Sequence, residues 1–172
     1  TSSPSPSPST STSGNPSSPN QFLLLGGGMS GTAGAVGSAP IASAGGGNHD
    51  GTPTNATVFT ATGLNLTFSG AATTFDLFVD AGTAVGNGTQ VRVSYDLTGD
   101  GTFDRVETYH YFATDPVNGY EHYTQGTGLL SSSGALGNMA HGTVKVEVWN
   151  AIGPGPSTLG VGNQSVVHLP FS

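Results

Sequence analysis

The chain has 172 residues and a mass of 17.1 kDa, enough for one domain or one domain with a tail. Only 8% of the residues are charged, and three Lys plus Arg against ten Asp plus Glu leave a formal net charge of -7. Such a chain cannot neutralise a phosphate backbone or dock on an anionic lipid surface, so nucleic acid and membrane are excluded as partners. With no cysteine there is no disulfide framework, thiolate metal site or thiol nucleophile.

No apolar run approaches the ~20 residues of a membrane-spanning helix. The chain opens at Thr1, and it reads as a processed chain whose export signal has been removed. Its weakly charged Thr/Ser/Gly/Asn-rich composition is that expected of a secreted, extracellular protein.

Residues 1–20, TSSPSPSPSTSTSGNPSSPN, hold almost no apolar side chain with which to offset ordering entropy. Proline keeps such a segment extended, and Ser/Thr-Pro composition is that of a linker or an O-glycosylated stalk. Ser5, Ser7, Ser9, Thr10 and Thr12 are the candidate O-glycosylation positions. Residues 21–54 are expected to form an extended Gly/Ala-rich arm. Within it Phe22, Leu23, Leu24 and Leu25 make a compact apolar cluster between low-complexity flanks, and exposed apolar residues in a free linker are an aggregation liability. These four residues are therefore expected to pack as a short strand, anchoring the arm.

From about Asn55 the pattern becomes short runs of period two separated by turn signals. Leu64, Leu66 and Phe68 form one such face, Phe75, Leu77 and Val79 a second, and Val91, Val93 and Tyr95 a third. Val106, Thr108, His110 and Phe112 are the expected inward face of the next strand, with Arg105, Glu107, Tyr109 and Tyr111 outward. Val144, Val146 and Val148 follow, and Val167, Leu169 and Phe171 close the chain. Asn87-Gly88, Asp100-Gly101 and Asn118-Gly119 mark turns. No window carries a sustained helical period. The expectation is an all-β, antiparallel two-sheet sandwich over residues 55–172, of jelly-roll or immunoglobulin-like type, preceded by the N-terminal arm.

The segment from Asp96 to Glu107, DLTGDGTFDRVE, spaces oxygen ligands and a glycine like a calcium loop, with Asp96, Asp100, Asp104 and Glu107 as candidate calcium ligands. Its flanks read as strands rather than helices, so a β-hairpin loop with Asp capping the turn is the competing reading. Aromatic rings on polar faces are the second signal. Tyr109 and Tyr111 share a face with Arg105 and Glu107, and Trp149 shares one with Lys145 and Glu147. Sugar rings stack on such aromatics while charged neighbours bond the hydroxyls, so Tyr109, Tyr111 and Trp149 are candidate carbohydrate-binding residues. The alternative is that they cover a sheet face or meet a neighbouring subunit.

Histidines 49, 110, 122, 141 and 168 have no metal-ligand spacing. Asp76 and Asp80 share a strand face, and no GxSxG elbow accompanies the abundant serines. No catalytic residue is assigned, and the chain is expected not to be an enzyme. Asn55, Asn65, Asn87 and Asn163 each begin an N-x-S/T sequon, a motif frequent by chance in this composition.

The run FDLFVDAGTAVGNGTQVRVSYDLTGDGTFDRVETYHYFATDPVNGYEHYTQ, followed by VKVEVWNAIG and SVVHLPFS, resembles the non-catalytic β-sandwich modules appended to secreted bacterial glycoside hydrolases, including glucan-degrading ones. The resemblance covers roughly residues 55–172. It implies a secreted sandwich with a carbohydrate-binding or accessory role, and it supplies no catalytic or fixed binding residues. In that family the module follows a catalytic domain and a Ser/Thr/Pro linker. Here the module is expected to stand alone, with no catalytic domain before the linker.

Two functions follow. In the first, the protein is a non-enzymatic structural subunit of an extracellular filament. The arm of one copy then adds a strand to the sandwich of the next, in an open head-to-tail contact whose partner is the protein itself. In the second, it is a carbohydrate-binding accessory module of a secreted polysaccharide-degrading system, whose partner is a polysaccharide.

Overall fold

The computed structural model describes residues 21–26, 28–32, 34–42, 51–80, 88–113, 121–124, 129–152 and 157–172. The candidate O-glycosylation positions Ser5, Ser7, Ser9, Thr10 and Thr12 lie outside these residues, as do the Asn118-Gly119 turn and the side chain of Tyr111. The described elements are β1 (Gln21–Leu24), β2 (Met29–Ser30), β3 (Gly37–Ile41), β4 (Thr57–Leu66), β5 (Thr74–Asp80), β6 (Gly88–Asp96), β7 (Arg105–Ala113), β8 (Glu121–Thr124), β9 (Leu129–Gly134), β10 (Met139–Ile152), β11 (Ser157–Val161) and β12 (Val166–His168). All are strands, and all their pairings are antiparallel.

They form two sheets, as expected of a β-sandwich. One runs β2-β1-β12-β5-β11-β3, with β8 on the other side of β5, and the other runs β4-β10-β6-β7-β9. β11 and β12 lie end to end along β5, Thr158 opposite Asp80 and Val166 opposite Asp76. β3 and β1 lie end to end along those two in turn, with Leu159 opposite Ala39 and Phe22 opposite Val167.

The period-two faces carry the core. Phe75, Leu77 and Val79 are buried from one sheet, and Val91, Val93, Tyr95, Val144, Val146 and Val148 from the other. Val167, Leu169 and Phe171 are buried as well. Alternate inward residues of two facing sheets remove apolar area from water at roughly 25 cal/mol per Å2, the main stabilising term of such a fold.

Two expectations are corrected. First, the sandwich is not confined to residues 55–172, because the segment expected as an outlying arm supplies β1, β2 and β3. Phe22, Leu24 and Leu25 are buried and Leu23 is half-buried, all against the chain's own sheet. The physical reason is reciprocal need: without β1 and β3, β11 and β12 present unpaired backbone groups, and the apolar cluster has no cover. The excursion after β1 and the one between β11 and β12 are knitted together. Gly162 N–H donates to Leu24 O at 2.8 Å, and Gly34 N–H donates to Gly162 O at 3.0 Å. Gly162 sits at φ 95°, with the space of a Cβ occupied by the carbonyl oxygen of Ala35, so only glycine fits there.

Second, the faces of β7 are reversed over residues 105–109, up to a bulge opposite Thr89 and Val91; the side chains of His110 and Phe112 lie outside the described residues. Tyr109, Glu107 and Arg105 stand opposite Val91, Val93 and Tyr95, which are core residues. Arg105, Glu107 and Tyr109 therefore point inward, and Val106 and Thr108 point outward. Hydrogen bonds described below satisfy the polar atoms this buries.

Leu24→Ala tests whether β1 is part of the core. The substitution is expected to lower the unfolding free energy by about 2–5 kcal/mol in urea denaturation, the cost of emptying a buried leucine site. A change within about 0.5 kcal/mol, typical of a surface site, is the opposite outcome.

Candidate functional site

The inward face of β7 opens at one side of the sandwich into a cleft of about 400 Å3. Its polar floor is Thr73, Arg105, Glu107 and Tyr109, and its walls are Phe68, Ala71, Ala72, Leu129 and Leu136. The chain that crosses from β4 to β5 supplies one side. That crossing is pinned to the C-terminus and to the segment before β10: Ser69 N–H donates to Pro170 O at 3.0 Å, Ser172 N–H to Thr67 O at 2.8 Å, and Phe68 N–H to Asn138 Oδ1 at 2.9 Å. The Phe68 ring rests edge-on against Phe171, 6.3 Å between centroids. Phe68 is nevertheless 36% exposed and Leu129 46%, two of the few large apolar residues left open to solvent, and both sit at the cleft.

Glu107 organises the floor. Its Oε1 accepts from Thr73 Oγ1 at 2.7 Å and from Tyr109 OH at 3.2 Å. Its Oε2 accepts from Arg105 Nη2 at 3.0 Å and Nε at 3.2 Å. Since the Thr73 hydroxyl proton goes to Glu107, the 2.7 Å contact between Thr73 Oγ1 and Tyr95 OH has Tyr95 as donor. Burial, reinforced by the charge of Glu107, pushes both the Tyr95 and Tyr109 phenols well above the ordinary tyrosine value, so both stay protonated donors. Tyr109 also packs edge-to-face on Phe75 of the facing sheet at 4.8 Å.

The other sequence candidates are arranged differently. Tyr109 lines the cleft but is 3% exposed, so its ring is not an open stacking platform. Trp149 is fully buried and cannot stack a sugar. It faces away from the core, opposite Gln90, on a face crossed by the chain near Gly51, whose N–H donates to Gln90 Oε1 at 3.3 Å. Trp149 Nε1 and Gln90 Nε2 are buried without a hydrogen-bond partner among the described residues. Lys145 and Arg92 both pair with Glu147 on this face, at 2.9 and 2.7 Å. With Arg105 on Glu107, every Lys and Arg of the chain is paired.

The four candidate calcium ligands are not gathered around one point. Glu107 is turned into the cleft floor. Asp96 Oδ1 accepts from Gly99 N–H at 2.8 Å, with longer contacts from Thr98 and Asp100, and its Oδ2 accepts from Gly101 N–H at 2.9 Å. Asp104 Oδ2 accepts from Leu97 N–H and Asp100 Oδ1 from Thr102 N–H. This is the hairpin-loop reading, with carboxylates closing turns on backbone amides and Gly99 and Gly101 at positive φ. Among the described residues, no group of three or more His, Asp or Glu side chains is arranged so as to hold a metal ion.

One cluster gave no sequence signal. Asp76 of β5 takes His122 Nε2 of β8 on Oδ1 and His168 Nε2 of β12 on Oδ2, both at 2.8 Å, and the His122 ring stacks on Phe78 at 4.5 Å. Three strands bring these residues together, and only the register of the sheet reveals it.

No protein-family model matches the chain, and no curated protein matches it. Solved structures do. An α-amino acid ester hydrolase superposes with a TM-score of 0.56 at 13% identity, over 89% of this chain and 36% of that one. A CocE/NonD family hydrolase from Staphylococcus aureus gives 0.51 at 10%, over 89% and 36%. An aminopeptidase from a marine sediment Thaumarchaeota archaeon gives 0.50 at 11%, over 86% and 36%. The likeness is one of fold. The chain spans about a third of the length of these proteins, so this sandwich is an architecture that also occurs as one part of larger hydrolases.

The Asp96 cage has a pH signature. Burial alone would raise its pKa, but the amides of Gly101, Gly99, Thr98 and Asp100 outweigh it and hold the carboxyl below its ordinary value. A carboxylate lowered on folding stabilises the protein above the unfolded-state pKa of about 3.9, and that contribution is lost as pH falls through the lowered value. Asp96→Asn is therefore expected to lower the melting temperature at pH 7 and to make the fall between pH 5 and pH 2 shallower. Parallel profiles for the two proteins would contradict the cage.

Proposed function

We propose that this protein is a non-catalytic, carbohydrate-binding accessory module of a secreted polysaccharide-degrading system, and that the sugar is held in the cleft over Glu107. The observation that carries the reading is the cleft itself, where an exposed aromatic and a leucine stand at the wall above a floor of ordered hydroxyl, guanidinium and carboxylate groups. Sugar rings present an apolar C–H face and a hydroxyl edge, which match these two parts. The likeness in fold to parts of larger hydrolases and the resemblance of residues 55–172 to glycosidase accessory modules both support an accessory role. The neighbours' own substrates are not carried over.

The filament reading has less support. Phe22, Leu24 and Leu25, the expected contact with a neighbouring copy, are spent inside the chain's own sheet. Donation to a neighbour first requires their withdrawal from it.

Retention on insoluble polysaccharides tests the proposal. The protein is expected to co-sediment with at least one of cellulose, β-1,3-glucan or mannan. Phe68→Ala is expected to reduce the bound fraction at least fivefold in a protein that remains folded by circular dichroism, with some loss of stability because the ring also packs on Phe171. Failure to co-sediment with any of them, or retention indifferent to Phe68, would refute it.

A further inference from the structure

We infer that the cleft selects neutral sugars, and that Arg105 determines this by chelating a vicinal pair of hydroxyl oxygens. The inference rests on the carbohydrate reading above and adds the chemical class of the sugar and the residue that chooses it.

The argument starts from saturation. A carboxylate offers about four acceptor positions. Those of Glu107 are taken by Thr73, Tyr109 and two nitrogens of Arg105. The acid at the floor is therefore a holder of other groups rather than a contact for a sugar hydroxyl proton. Arg105 has five N–H donors. Two serve Glu107, and one on Nη1 serves Gly134 O at 3.0 Å. Two N–H groups on its terminal nitrogens remain, in a guanidinium side chain 22% exposed to solvent. A planar pair of donors meets two adjacent oxygens at once, as vicinal hydroxyls present them.

Charge then decides which sugar. Among the residues lining the cleft, Arg105 and Glu107 are the charged pair, and they cancel at 3.0 Å. The chain as a whole carries -7. A uronate entering this cleft meets no net positive charge and leaves water to do so, an unfavourable exchange. A neutral hexose loses only hydroxyl hydration, recovers hydrogen bonds at Arg105, and lays its C–H face on Phe68 and Leu129. Glu107 is thus a positioning residue: it fixes the guanidinium plane and removes its attraction for anions in the same contact.

Affinity electrophoresis of the full chain tests this with three probes: hydroxyethylcellulose, a soluble neutral galactomannan and polygalacturonate. The expected result is retardation by at least one neutral polymer and none by polygalacturonate. Arg105→Lys keeps a cation beside Glu107 and should remain folded by circular dichroism. It lacks the planar donor pair, so its affinity for the neutral polymer is expected to fall at least tenfold. Arg105→Ala is the second variant, and the same loss is expected if it folds.

Retardation by polygalacturonate as strong as by the neutral polymers would overturn the inference while leaving a carbohydrate module standing. Neutral binding unchanged in Arg105→Lys would overturn the role of Arg105. No retardation by any of the three, with no retention on insoluble polysaccharide, would overturn the underlying carbohydrate reading instead.

Discussion

A carboxylate in the interior of a β-sandwich is costly unless every lone pair is met, and Glu107 is met on both oxygens. Thr73, at the entry to β5, reaches it from one sheet, while Tyr109 and Arg105 reach it along its own strand in the other. Tyr95 adds its phenol to the chain through Thr73. Remove the acid and three buried hydroxyls lose their order and a half-buried guanidinium loses its counter-charge. Much else follows from this one contact. It turns the polar face of β7 inward, ties the β4–β5 crossing to the facing sheet, and leaves a cleft whose floor is rigid and whose net charge is zero.

The alternation of β5, β6 and β10 was fully legible, because Phe75, Leu77 and Val79, Val91, Val93 and Tyr95, and Val144, Val146 and Val148 are apolar residues separated by polar ones. β7 was not, since RVETYHYF offers a plausible inner face in either phase. Hydropathy favours Val106 and Thr108 as the inner face, and a network assembled from Thr73, Tyr95, Glu107 and Arg105 overrules it there. The apolar character of residues 22–25 was legible as a need for cover. Their partner was not, because Phe22 pairs with Val167 at the far end of the chain, and no local signal encodes such a distance. The same limit hid Asp76, His122 and His168, which only the register of three strands brings together. Trp149 was on the face expected of it, yet the chain near Gly51 crosses that face, and a crossing segment has no period to read.

The N-terminal strands change what kind of object the domain is. β1 and β3 form the continuous neighbour of β11 and β12, so the first and last described segments of the chain close the same sheet. The described fold therefore takes in the segment from Gln21 to Ile41 as well as the later strands. The acidic loop after β6 has a structural task of its own. Its carboxylates close turns on amides, which makes it a rigid hairpin end remote in purpose from the cleft.

The central claim is that a sugar sits over Glu107, and amide chemical-shift mapping tests it most directly. A 17.1 kDa chain suits the method. Titration with a soluble neutral oligosaccharide is predicted to move the signals of Phe68, Ala71, Ala72, Thr73 and Leu129 first and furthest, saturably and at one affinity. Shifts confined to the outer face around Asp76, His122 and His168, or no shifts at millimolar sugar for any neutral oligosaccharide tried, would contradict it.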